Sequence, residues 1–114
     1  MEHSNKLIKW DDFAKIEIRV GTIIRAEIFR EARKPAYKLE IDFGPYGIKK
    51  SSAQLTKLYM PEELIGKQVV AVLNFPPKQI AHFQSECLIL GAVNHDEVTL
   101  LTTDQPVENG LLIG

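Results

Sequence analysis

Residues 15–29 read KIEIRVGTIIRAEIF, and how they are read decides the fold. Ile16, Ile18, Val20, Thr22, Ile24, Ala26 and Ile28 fall on one side; Glu17, Arg19, Gly21, Ile23, Arg25, Glu27 and Phe29 fall on the other. This is the twofold period of a strand, sustained well past the usual ~5–6 residues. Gly21 sits near the middle, where a residue without a side chain lets a strand bend sharply. A long strand hinged at a glycine suits a small closed barrel, in which one strand serves two layers of sheet.

The flanking segments extend this pattern. REARKPA is a polar loop. Tyr37, Leu39, Ile41 and Phe43 then alternate with Lys38, Glu40 and Asp42 as a second strand. GPYG turns the chain into a third, Ile48 to Ala53, so the two form a hairpin. Gln54 to Gly66 reads as the only substantial helical segment. Pro61 suits a first helical position, Glu62 and Glu63 suit the positive end of the dipole, and Gly66 suits a terminator. Val69–Leu73 and Cys87–Val93 are apolar on both faces and read as central strands; Val98–Thr102 follows a turn at 94–97. Trp10–Phe13 fits a short helical turn capped by Asp11 or Asp12. Five or six strands with one short helix between the third and fourth predict an all-β, five-stranded oligonucleotide/oligosaccharide-binding (OB) barrel with short terminal extensions.

With 114 residues, 45% hydrophobic and 25% charged, the chain has the make-up of an ordinary globular protein. It is expected to form a single domain over residues 1–114, with a core spanning about 13–113. No apolar run approaches the roughly 20 residues that span a bilayer, so no membrane insertion is expected. MEHSNKLIKWDD has no apolar signal core, which fits a cytoplasmic location. Cys87, the single cysteine, lies in an apolar run and reads as a small core residue. Leu111, Leu112 and Ile113 are expected to pack on the barrel or on a partner chain.

Catalytic groupings are sparse. His3, His82 and His95 have no metal-ligand spacing with one another or with Cys87. Asp11-Asp12 and Glu62-Glu63 are adjacent pairs whose side chains diverge, and the glycines frame turns, not phosphate cradles. The chain is therefore expected to be no enzyme and to use no metal or cofactor. Binding remains. Net charge is −1, yet residues 25–57 carry eight bases against four acids, enough to attract anions if they share a face. Lys38, Lys49 and Ser51 are expected to point outward from the second and third strands, where OB barrels hold single-stranded ligands. Phe75 and Phe83 flank Pro76-Pro77-Lys78-Gln79. The prolines stiffen that loop into a rim, and the phenylalanines either serve it or close the barrel end. Asn74 and Ser85 either join the site or cap local backbone.

Taken together, EIRVGTI, YKLEIDFG, KKSSAQL, LIGKQVVAVLNFPPKQI and FQSECLILG resemble the tRNA-binding domain family of OB modules, over roughly Phe13 to Ile113. SSAQL and SECLILG resemble its CsaA-type branch, described as secretion chaperones. The resemblance implies a cytoplasmic homodimer in which Lys38, Asn74, Lys78 and Ser85 face the ligand. General family modules carry Asp before that lysine, where this chain has Tyr37. They carry Gly-Met after the serine, where Glu86-Cys87-Leu88 stands here. Those departures favour the branch. The implied function is a chaperone for unfolded or pre-secretory polypeptides that docks on the secretion motor and also binds tRNA; the alternative is a tRNA-binding accessory protein with no chaperone role.

Overall fold

A computed structural model describes residues 6–114; His3 lies outside the described residues. Strand β1, Ile18–Ile28, is the spine. Its first half pairs antiparallel with β4 (Gln68–Val72), its second half with β2 (Tyr37–Asp42), and Thr22 has a partner in each, Gln68 and Asp42. β2 continues through a tight turn at Gly44–Tyr46 into β3 (Ile48–Ala53), and β4 pairs with β7 (Leu88–Ile89). The order β3-β2-β1-β4-β7 curls until β3 meets the stretch before β7, a nearly closed five-stranded OB barrel. The seam is fastened by the Glu86 N–H donating to the Lys50 carbonyl at 2.7 Å, and by the Ser51 hydroxyl donating to the Cys87 carbonyl at 2.9 Å. Two small hairpins project from the barrel: β5 (Lys78–Ile80) with β6 (Phe83–Ser85), and β8 (Gly91–Asn94) with β9 (Glu97–Leu100).

Gly21 is where core side chains lie directly on the β1 backbone. A Cβ built there would stand 2.6 Å from the Ile41 methyl and 2.6–2.7 Å from the Phe43 ring. The core around them is Ile23, Leu39, Ile41, Phe43, Leu55, Leu64, Val69 and Ala71, with Cys87 and Tyr37 at its margin.

The alternation along β1 does not carry through. The register against β2 slips between Ile23 and Arg25, a bulge at which one extra residue inverts the faces. Val20 and Ile23 are both buried, while Ile24 and Ile28, assigned by alternation to the Val20 side, are 42% and 54% exposed. The expected helix over 54–66 is a single turn, α2 (Pro61–Leu64). Pro61 opens it, the Glu63 carboxylate accepts from the Met60 N–H at 2.6 Å, and Gly66 follows at φ +90°. Only Leu64 of that turn enters the core. The expected strand over 87–93 divides into β7 and β8. Helix α1 (Trp10–Ala14) forms as expected, with the Asp12 carboxylate accepting from the Lys9 N–H at 3.0 Å. The apolar tail lies along β1: the Leu111 carbonyl accepts from Val20, and Ile113 donates to Ile18. It occupies the edge of β1 that β2 has left.

Candidate polymer-binding groove

Hairpin parity decides which side chains of β2 and β3 share a face. Directly opposed residues of an antiparallel pair point the same way. Ser51 opposes Leu39 and Lys49 opposes Ile41, and both partners are core residues. Ser51 is therefore interior, 1% exposed, and its hydroxyl ties the seam. Lys49 lies on the same inward side. The expectation that Lys49 and Ser51 point outward with Lys38 is corrected: Lys38 shares the outer face with Ser52 and Lys50.

The Pro-Pro segment does not stay a loop. Pro76 and Pro77 lead into β5, which pairs with β6 through a turn at Ala81-His82, with Ala81 at φ +53°. Lys78 opposes Ser85 and Ile80 opposes Phe83 on one face; Gln79 opposes Gln84 on the other, joined by an amide–amide hydrogen bond. Ser85 accepts from the Ser52 N–H at 3.1 Å, which holds the hairpin against β3. Lys78 and Ser85 thereby come to line a groove of about 530 Å³ together with Ser52, Gln54, Ile80, Leu88, Leu90 and Val98. At its far end, Gln54, His95 and Asp96 also line a second hollow of about 360 Å³ bearing Lys34 and Lys57.

Phe83 packs edge-on against Phe29, with ring centroids 5.4 Å apart. The ammonium groups of Lys38 and Lys50 stand 5.4 Å and 5.6 Å from the Phe29 and Phe83 rings, within cation–π reach. Lys38 also faces the Glu27 carboxylate at 3.6 Å. Four of the expected residues, Lys38, Lys78, Phe83 and Ser85, thus gather on one side of the barrel. Asn74 does not join them. Its amide is spent on backbone, accepting from Glu17 N–H at 3.0 Å and donating to Lys15 O at 2.6 Å, beside α1. Phe75 is 55% exposed, and Gln79 points to the hairpin's outer side. Sequence reasoning missed Phe29, Lys50, Ser52 and Ile80. Counting from the GPYG turn, which sets Asp42 opposite Ile48, gives the parity that finds Lys50 and Ser52.

Cys87 lies beneath the groove, 5% exposed. Burial pushes its thiol pKa up from 9.0 to about 12. The folded state then holds the proton that the unfolded state releases first, so this contribution is intact below pH 9 and is lost as pH rises toward 12. Denaturant titrations should show stability falling across that window by up to about 1.4 kcal/mol per pH unit. Cys87→Ala should flatten that slope; an unchanged slope in the variant would refute the assignment.

No helix among the described residues is long and apolar enough to cross a membrane, and no cluster of three or more His, Cys, Asp or Glu is placed to hold a metal. An aliphatic, polar-rimmed groove and an outer face carrying Lys38 and Lys50 beside Phe29 and Phe83 thus lie on one side of the OB barrel. The model of the family described as "Putative tRNA binding domain" matches residues 18–111, and the chain belongs to that family. Within the family it falls in the CsaA-type branch. It is 51% identical to the CsaA chaperone of Bacillus anthracis (TM-score 0.91, covering 95% of this chain and 99% of that one). It is 55% identical to that of Picrophilus torridus (TM-score 0.89, 95% and 100%). It is also 35% identical, over 94% of its length, to part of the methionine–tRNA ligase of Methanococcoides burtonii, of which it spans 16%.

Proposed function

We propose that the chain is a chaperone, a cytoplasmic homodimer built from one domain per subunit, that binds unfolded or pre-secretory polypeptides and docks on the secretion motor. The observation that carries this reading is the groove. Its floor and walls are aliphatic (Ile80, Leu88, Ile89, Leu90, Val93 and Val98), and its rim is polar, with Lys78, Ser85 and Gln54. Aliphatic side chains of an unfolded chain lose water on entering such a groove. The 51% and 55% identities to two CsaA chaperones, over nearly the full length of each, support the same reading.

Diluting a chemically denatured protein into buffer without ATP should give less light scattering when this chain is present in stoichiometric amount. Val93→Asp, at a groove position that is 73% exposed, should weaken the protection several-fold without unfolding the barrel. Equal scattering with and without the wild-type chain would sink the proposal.

A second reading, binding of tRNA, rests on the outer face. Lys38 and Lys50 beside Phe29 and Phe83 offer ammonium groups for phosphates and ring surface for unpaired bases. The aliphatic groove and the neighbouring basic face are two adjacent sites, one for each polymer.

The dimer rests on a different surface. Leu7, Ile8 and Trp10 are 79%, 69% and 72% exposed, and Leu111 and Leu112 are 48% and 59% exposed. Trp10, Phe13, Ile16 and Leu112 line a hollow of about 410 Å³ between α1 and the tail. An apolar surface of that kind marks an interaction site. Sedimentation at micromolar concentration should give twice the 12.9 kDa chain mass; a 12.9 kDa species would overturn the dimer.

A further inference from the structure

The aliphatic groove does not end blindly. Gln54, His95 and Asp96 line both it and the second hollow, of about 360 Å³, so the two cavities adjoin at the tip of the β8–β9 hairpin. The hollow differs from the groove in character. Lys34 comes to it from the loop between β1 and β2, Thr56 and Lys57 from the stretch after β3, and His95 and Asp96 from the β8–β9 turn. Pro35 is the one apolar residue among those lining it.

Charge in the hollow is unbalanced. Asp96 meets Lys57 at 3.5 Å, while Lys34 makes no ion pair among the described residues. Two ammonium groups therefore share one carboxylate, and the surplus is positive. Gln54 and Thr56 add an amide and a hydroxyl as uncharged donors. The backbone supplies a further sign. His95 stands at φ +58°, in the left-handed region, at a hairpin turn that glycine or asparagine closes with less strain. That position carries instead a ring with an N–H donor, at the junction of groove and hollow.

We infer that the hollow is an acidic-residue subsite of the groove: an Asp or Glu side chain of an unfolded polypeptide enters it and meets Lys34 and Lys57, while neighbouring aliphatic residues of the same polypeptide lie in the groove. The inference rests on the polypeptide reading of the groove and narrows its substrate class to apolar segments flanked by an acidic residue. A side chain is the occupant, because an unfolded chain has one terminal carboxylate and many acidic side chains. RNA fits the hollow less well. No Phe, Tyr or Trp lines it to stack a base, and Asp96 repels a run of phosphates. Asp96 also competes with the incoming carboxylate for Lys57, so it holds the affinity below what the lysines alone would give.

The test titrates two fluorescein-labelled peptides against the full chain by anisotropy at low salt: Glu-Ser-Leu-Val-Leu-Ser-Glu, and the same peptide with Gln in place of both Glu. The residue order is the same from either end, so one acid reaches the hollow whichever way the peptide lies. The Glu peptide should bind about fivefold tighter, and that margin should fade at about 1 M salt. Lys34→Gln with Lys57→Gln should cut the margin to about twofold or less, the remainder belonging to Lys78 in the groove, and Asp96→Asn should widen it about twofold. All three side chains are exposed, so melting should change little in these variants. Equal binding of the two peptides by the wild-type chain, or a margin untouched by the lysine substitutions, overturns the subsite and leaves the polypeptide reading intact. Absence of peptide binding with aggregation still suppressed also overturns it, because the client then binds elsewhere. Absence of both defeats the subsite and the function together. Weaker binding of a single-stranded RNA oligomer in the lysine variant, with the two peptides bound alike, overturns the subsite and reassigns the hollow to RNA.

Discussion

Gly21→Val is expected to destabilise the chain by about 3 kcal/mol or more and to lower its melting temperature by about 12 °C or more. The reason is local and has no remedy by side-chain rotation. The first added carbon already stands 2.6 Å from the Ile41 methyl and from the Phe43 ring, and both residues are 0% exposed and packed on every side. Either the ring leaves the core or β1 moves off β2 and β4 at once, since Gly21 sits where the strand passes from one partner to the other. Gly47→Ala provides the contrast: its φ of +88° is strained for alanine, but a Cβ there meets nothing within 4 Å. It should cost about 2 kcal/mol from backbone strain alone, because φ +88° with ψ −178° is a conformation essentially confined to glycine. If Gly21→Val melts within about 2 °C of wild type, the account of β1 as a strand overlaid by core side chains is wrong.

Exchanging both outer-face lysines, Lys38→Glu with Lys50→Glu, should lower affinity for tRNA about a hundredfold at low salt. Two phosphate contacts are lost and two repulsive charges gained, so the log–log dependence on salt should become shallower by about 2. Neither side chain is in the core, and among the described residues Lys38 has a single ion pair, to Glu27, so melting should change little. The same variant should retain polypeptide binding, because the aliphatic walls of the groove are untouched. Undiminished tRNA affinity would remove the outer face from the tRNA reading. Loss of both activities together would show one shared site where two adjacent ones are proposed.

The sequence made the barrel legible because its main elements are local. Alternation in residues 37–43, the GPYG turn and the apolar runs each declare themselves within a few positions. Gly21 was recognisable as special, though as a bend and not as a floor for Phe43. The inversion after Ile23 was not legible, since a bulge is defined by the partner strand and alternation within one strand carries no trace of it. The stretch 54–66 holds its helix-start and helix-stop residues, Pro61 and Gly66, only five positions apart, and the extended backbone of Met60 confines the helix to one turn. The hairpin at 78–85 hid behind Pro76-Pro77; its turn uses Ala81 at positive φ, where glycine or asparagine would have given the signal. The site was half legible for a related reason. Lys78 and Ser85 sit on a segment whose chemistry is visible in order. Whether Ser51 or Ser52 faces out depends on hairpin parity, and Asn74 is committed to backbone groups of residues 15 and 17, far away in sequence.

The groove also governs what the molecule would refuse. The β5–β6 and β8–β9 hairpins stand beside it, contributing Lys78, Ile80, Val93 and Val98 to its sides. A folded sheet brings neighbouring strands about 4.8 Å away and would meet those sides, whereas a lone, unstructured chain would not. On the polypeptide reading, clients would be sorted by the state of their folding.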